Sequence, residues 1–296
     1  MENILNYYYD INVINIKKYD YYYLITSDEE DEYLFNEIIN IDELKEIIDY
    51  LNNTNMLYHL LMLTKEQNIT ITYNDKEYAL FKVRDNDNLN IFSFSNLITN
   101  GKCIWGTLWS NRVDYYLEQL KEVVDINEIK YAMDYYISLA EIAISYFNNL
   151  EEIYKSSELT YTISHHITSS PVSKYELYNP SNMCKDLIVR DVAEYIKASF
   201  FEDILTNNEI LNLIDRINLN EQLANYFLVR LIYPSYMFKI YDNYIETKEI
   251  DRKFYEYMKK SREYEHLLAN IYNKLKLKFS IKAYIYFFKD QYWLHL

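Results

Sequence analysis

The hydrophobic period of this chain changes once, near residue 110, from the twofold alternation of strands to the three-to-four spacing of helices. Before that point INVINIK (11–17), YYYLIT (21–26) and EYLFNEI (32–38) are short, rich in β-branched and aromatic residues, and bounded by polar turns. They predict a meander, with the acidic SDEEDE (27–32) as an exposed turn. IDELKEIIDYLNN (41–53) then places Leu44, Ile47, Ile48 and Leu51 at helical spacing. LYHLLML (57–63), NITITY (68–73) and KEYALFKV (76–83) return to strand patterns, with YND (73–75) as a hairpin turn. The tyrosine runs at 7–9 and 21–23 also suit strands, where alternate rings pack to opposite sides.

Past the change, NRVDYYLEQLKEVV (111–124) and EIKYAMDYYISLAEIAISYFNNL (128–150) are long amphipathic stretches, the second long enough for a central core helix. Further helical patterns run over 190–204, 207–217, 220–233, 235–245 and about 249–278. The expected fold class is α+β, with a strand-rich lobe over residues 1–90 carrying one helix and a larger helical lobe over 91–296. Polar RDNDNLN (84–90) suits a hinge between them. YPSYMFKIYDNY (233–244) has two readings: its rings fill the core of the helical part, or they form a surface for a partner.

Composition removes several functions. Gly101 and Gly106 are the only glycines, so no glycine-rich loop of the kind whose backbone N–H groups close on phosphate can be built. A net charge of −15 repels phosphate backbones, which argues against nucleic acid as a partner. KLKLK (274–278) is the nearest thing to a basic patch, and it falls at the end of a helical stretch where cations suit the dipole. No run of apolar residues is long enough to predict a membrane span, and the first residues do not read as a secretory signal. Two cysteines, Cys103 and Cys184, cannot make a disulfide framework, and a reducing compartment is expected. The 35 tyrosines, alongside many Ile, Asn and Lys, read as the imprint of AT-rich codons rather than of base stacking.

Chemistry-bearing residues gather in one segment, SHHITSSPVSKYELYNPSNMCKDLIVRDVAEYIK (164–197). His165 and His166 are adjacent, so on a strand their side chains point to opposite faces and do not readily share a metal. A zinc site built from one of them with Cys184 and Asp186 matches no established ligand spacing. A Cys184–histidine catalytic pair would need an orienting group and an oxyanion site that the sequence does not specify, so Cys184 reads as a small buried side chain. RDVAEYIK opens a helix with Asp191 near its N-terminus, where a carboxylate meets unpaired N–H groups and anchors the preceding loop.

In order and character, LWSNRVDYY (108–116), ISLAEIAISYF (137–147), TISHH (162–166), YNPSNMCKD (178–186), VRDVAEYIK (189–197) and LVRLIYPSYMF (228–238) resemble the protein-kinase-like superfamily. Within it the chain resembles the aminoglycoside-phosphotransferase branch, and especially the kinase-like proteins of the bacterial spore coat. The resemblance covers most of the chain and implies a two-lobed fold, a small strand-rich N-lobe before a larger helical C-lobe. Active members of that superfamily position phosphates with a glycine-rich turn and a strand lysine, orient the acceptor with an aspartate, and hold magnesium with a carboxylate.

Set against those devices, the glycine-rich turn is missing and Asn36 stands near the place of the strand lysine. Lys82 lies after the helix at 41–53 rather than before it, and reads as hinge-proximal and structural. The family's catalytic loop reads H-G-D. Aligning His165 with its histidine puts His166 in the glycine place and Ile167 in the aspartate place, leaving no assigned catalytic or nucleotide-binding residue. An imidazole at His166 is the one alternative base. The resemblance makes Asp186 the candidate magnesium ligand, with Asn182 or Asn179 beside it, and gives Arg190 and Asp191 structural roles.

What these departures imply is a catalytically degenerate pseudokinase with no cofactor, serving as a binding or structural component in the cytoplasm or the spore coat and contacting protein partners, coat components among them. The alternative is a divergent small-molecule phosphotransferase using ATP and magnesium.

Overall fold

The computed structural model describes residues 1–19, 21–85, 89–122, 127–154 and 159–282. The chain divides into two compact units, one of residues 1–99 with 162–185 and the other of residues 100–161 with 186–296. The expected hinge, 84–90, falls partly outside the described residues.

In the first unit, α1 (Glu2–Tyr9) precedes strands β1 (Val13–Lys18), β2 (Tyr22–Ser27) and β3 (Glu32–Glu37). Helix α2 (Ile41–Asn53) then leads to β4 (Leu60–Met62), β5 (Ile71–Tyr73), β6 (Lys76–Lys82) and the short β7 (Ile98–Thr99). The antiparallel sheet runs β1-β2-β3-β6-β4, with β5 also on β6. Its register sets Tyr22 opposite Asn36 and Asn36 opposite Ala79. Because side chains alternate across a strand, Tyr22, Leu24, Leu34, Asn36, Ala79 and Phe81 share one face, and there Leu44 and Ile48 of α2 complete a core. The opposite face carries Ile25, Tyr33, Phe35, Tyr78 and Leu80 and is closed by Leu5 and Tyr9 of α1.

Local chemistry explains the boundaries. Asn40 caps α2 by accepting the Glu43 N–H at 3.2 Å, and the helix buries the four apolar residues expected from its spacing. Each such side chain contributes roughly 1.5–3 kcal/mol on leaving water. Asn74 and Asp75, at φ 50° and 62°, form the two-residue turn between β5 and β6, the left-handed pair that suits hairpin twist. The expectation of a strand at Tyr7–Tyr9 is wrong: these residues end α1, where Leu5 and Tyr9, four apart, both face the core. A one-sided apolar surface over the sheet outweighed the strand preference of tyrosine.

The same unit also contains most of β8 (Tyr161–His165), the single turn α5 (Lys174–Leu177), a 3₁₀ turn (Pro180–Asn182) and most of β9 (Met183–Leu187), with sheet order β7-β8-β9.

The second unit is helical: α3 (Trp105–Glu122), α4 (Asn127–Tyr154), α6 (Arg190–Phe201), α7 (Asn207–Ile214), α8 (Glu221–Ile232), α9 (Ser235–Thr247) and α10 (Arg252–Lys276). Leu223 to Ile232 of α8 are buried throughout, making it the central element. The YPSYMFKIYDNY segment belongs to this core, with Tyr233, Met237, Phe238, Ile240, Tyr241 and Tyr244 all buried. The KLKLK lysines close α10, where Lys274 and Lys278 pair with Asp215 at 2.6 and 3.2 Å. No helix among the described residues is long and apolar enough to cross a membrane.

Candidate functional site

In the first unit, the end of β8 separates the two histidines as adjacent strand positions must: His165 is buried, and His166 is exposed. The His165 Nε2 lies 2.9 Å from the carbonyl oxygen of Leu177. Asn182 fixes the backbone beyond the strand. Its Oδ1 accepts the Ile167 N–H at 3.0 Å, and its Nδ2 donates to the carbonyls of Ile167 (2.9 Å) and Glu176 (3.1 Å). The His166 N–H donates to the Asn182 carbonyl at 2.7 Å. Asn182 therefore acts here as a backbone clamp around Ile167. Asn179 accepts the Ser181 N–H and hydroxyl at 3.2 and 2.7 Å, capping the 3₁₀ turn.

Asn36 is 2 % exposed, on the α2 face of the sheet, and its Oδ1 accepts no hydrogen bond from the described residues. Lys82 pairs with Asp31 across the strands, consistent with a structural role. The α2 residue Glu46 pairs with Lys185 of β9 at 2.6 Å.

α5 carries a second set of fixings. Lys174 Nζ reaches Asp85 at 2.7 Å and Glu32 at 3.2 Å, while the Tyr175 hydroxyl donates to Glu32 at 2.9 and 3.0 Å. The Tyr175 ring packs onto the α2 face beside Tyr22, centroids 6.4 Å apart. Tyr22 in turn stacks on Tyr19 at 4.8 Å, so aromatic rings flank the turn joining β1 to β2.

In the second unit, Asp186 is 7 % exposed. The Trp105 indole N–H donates to both its oxygens, at 2.8 and 2.9 Å, the Leu187 N–H donates at 2.7 Å, and the Arg190 guanidinium completes the shell. Burial pushes the Asp186 pKa up, but Arg190, Arg230 and the indole outweigh it and hold the carboxyl below its ordinary range. Arg190, the first residue of α6, is thus paired with Asp186 one turn before it. Asp191 is buried in the first turn of α6. Cys103 and Cys184 are both buried and unbridged. Among the described residues no three of His, Cys, Asp and Glu are grouped to hold a metal ion.

Sequence reasoning missed a buried ionic knot in this unit. Glu194 accepts from Lys197 at 2.8 Å, from Arg230 at 2.6 Å and from the Ser235 hydroxyl at 2.7 Å. The Arg230 guanidinium also lies over the Trp105 and Trp109 rings at 4.9 and 5.5 Å. Only the pair Glu194–Lys197 was visible as a helical spacing; the partners on α8 and α9 lie more than thirty residues on.

Comparison with known proteins decides the ancestry. The family model described as "Spore coat putative kinase YutH" matches residues 95–271, more than half of the chain. The chain belongs to that family. No curated protein matches it significantly. Among solved structures it is similar to an aminoglycoside phosphotransferase from Alicyclobacillus acidocaldarius, at TM-score 0.60 and 10 % identity, over 91 % of this chain and 94 % of the other. It is also similar to spectinomycin phosphotransferase bound to AMP (TM-score 0.55, 12 % identity, 92 % and 96 % covered) and in complex with ADP and spectinomycin (0.54, 12 %, 88 % and 93 %). This family member therefore has the kinase-like phosphotransferase fold, with its strand-rich part first and its helical part after.

Proposed function

We propose that this family member is a catalytically degenerate kinase-like protein, used as a binding or structural component of the spore coat and held there by protein partners. The observation that carries the reading is the state of Ile167. It stands where the resemblance asks for the aspartate that orients an acceptor hydroxyl, and Asn182 occupies both its backbone groups. An alkyl side chain neither accepts a proton nor orients one. Asp186, the retained carboxylate, supports the same reading, since its oxygens already accept from an indole, a backbone amide and a guanidinium. Neither Asp186 nor Asn182 fits a magnesium ion in this arrangement, because magnesium demands oxygens free to complete a near-octahedral shell.

The test is thermal denaturation with ATP, ADP and magnesium, alongside a phosphoryl-transfer assay on aminoglycosides and other small hydroxyl compounds. A ligand at a hundred times its Kd adds about 2.7 kcal/mol, so the expected result is an unmoved Tm and no turnover. A clear nucleotide-dependent rise with turnover overturns the reading. It would favour a divergent phosphotransferase using ATP and magnesium, a reading supported by the fold shared with an ADP- and spectinomycin-bound enzyme.

A further inference from the structure

Two imidazoles hold the two ends of the single turn α5. His165 Nε2 meets the Leu177 carbonyl at 2.9 Å, and His59 Nε2 meets the Lys174 carbonyl at 3.1 Å. His59 is fully buried. Its Nδ1 accepts the Arg84 N–H at 3.3 Å, so the ring is neutral, with its one proton on Nε2 pointing at Lys174. A second proton would have to sit on Nδ1, facing a donor. The ring can take it only if Arg84 or α5 moves away.

The start of α5 is held by further polar contacts, Lys174 to Asp85 and Glu32 and Tyr175 to Glu32, and by the Tyr175 ring beside Tyr22, whereas Leu177 and Tyr178 at its end are anchored in the core with Ile47, Leu51 and Phe94. We propose that residues 174–176 form a strap docked beside Tyr22 on the α2 face of the N-terminal sheet and loosened by protonation of His59, which exposes the Tyr22 ring while Leu177 and Tyr178 stay in the core. This inference does not depend on whether the chain is an enzyme.

The groups around His59 set the direction. Burial is the largest influence and opposes the imidazolium; the Lys174 carbonyl favours it, the Lys174 ammonium opposes it, and the Glu32 carboxylate favours it. The Arg84 N–H meets the ring just past the end of β6, and Tyr178 meets it edge-on at 6.1 Å. The net result moves the His59 pKa from 6.5 down to about 4. A depressed pKa in the docked state means that docking is fully favoured above pH 6.5 and weakens as pH falls towards 4.

Amide hydrogen exchange of the full chain at pH 7 and pH 5, corrected for intrinsic rates, tests the strap. Titration between 6.5 and about 4 predicts that the amides of 174–176 lose about twentyfold protection between pH 7 and pH 5, with α8 as the reference. His59→Gln keeps a donor for Lys174 and cannot charge, so the loss should vanish; His165→Gln should retain it. Equal protection at both pH values in the unmodified chain overturns the proposal. So does a loss that survives His59→Gln, or one that His165→Gln abolishes. Should His59→Gln fail to fold, NMR titration of the unmodified protein decides: a His59 midpoint near 6.5, or one that the Tyr175 amide does not share, overturns it equally.

Discussion

Glu194 and Lys197 lie one turn apart on α6 and share a proton-rich pocket, the Lys197 ammonium 2.8 Å from the carboxylate and only 1 % exposed. Burial drives the Lys197 pKa down to about 8, while Lys197 and Arg230 overcome the effect of burial on Glu194 and hold it at about 2. Removing the carboxylate leaves two buried cations without their anion. Glu194→Gln should therefore cost on the order of 3–5 kcal/mol in urea denaturation. Lys197→Met, which leaves Glu194 paired with Arg230, should cost less. The Glu194 contribution is complete above its unfolded pKa of 4.5 and should fade as pH falls through 4.5 towards 2.

Asp186 gives a test that separates structure from catalysis. Asp186→Ala strips the partner from Trp105 and Arg190, both drawn to it in a buried setting. A loss of about 3 kcal/mol is expected, read by denaturant midpoint. Nucleotide response should be the same in both proteins, because none is expected in either.

Two tyrosines in one core should respond oppositely to loss of the hydroxyl. Tyr264 donates to the Leu231 carbonyl at 2.9 Å, whereas the Tyr233 hydroxyl is buried and has no partner among the described residues. Tyr264→Phe should destabilise by about 1 kcal/mol, and Tyr233→Phe should be neutral or stabilising, because it removes an unpaired polar group while keeping the stack on Trp109. Paired thermal melts settle the contrast.

Gly106 of α3 packs against α4. A Cβ there would stand 2.9 Å from the Phe147 ring and 3.1 Å from Asn148 Oδ1. Alanine favours a helix over glycine by about 1 kcal/mol, yet Gly106→Ala should still lower the Tm, since forcing two packed helices apart costs about 1–3 kcal/mol. A rise in Tm would show that Phe147 turns aside freely.

Much of the fold was legible because its signals are local. The period of α2 gave its bounds, and Asn74–Asp75 marked its hairpin. Tyr7–Tyr9 was misread because strand preference is intrinsic to the residue, whereas the buried i,i+4 pair Leu5 and Tyr9 acquires meaning only from the sheet beneath it. The candidate site was read from the resemblance, which names positions and no contacts. Ile167 could be placed by analogy, but its clamp by Asn182 lies fifteen residues on. The links from His59 to Lys174 and from Glu32 to Tyr175 span more than a hundred residues, and no spacing rule reaches that far.

The turns of this chain carry one more consequence. Neither glycine has a positive φ; instead Asp10, Glu30, Asn55, Gln67, Asn74, Asp75, Asp203 and Lys248 adopt the left-handed region. For residues with a side chain that conformation costs roughly 1 kcal/mol or more each, less for Asn and Asp. A chain drawn from a glycine-poor repertoire has thus bent itself with residues that bend reluctantly, and the non-Asx corners Glu30, Gln67 and Lys248 are where its architecture holds unused room to become sturdier without altering a single core contact.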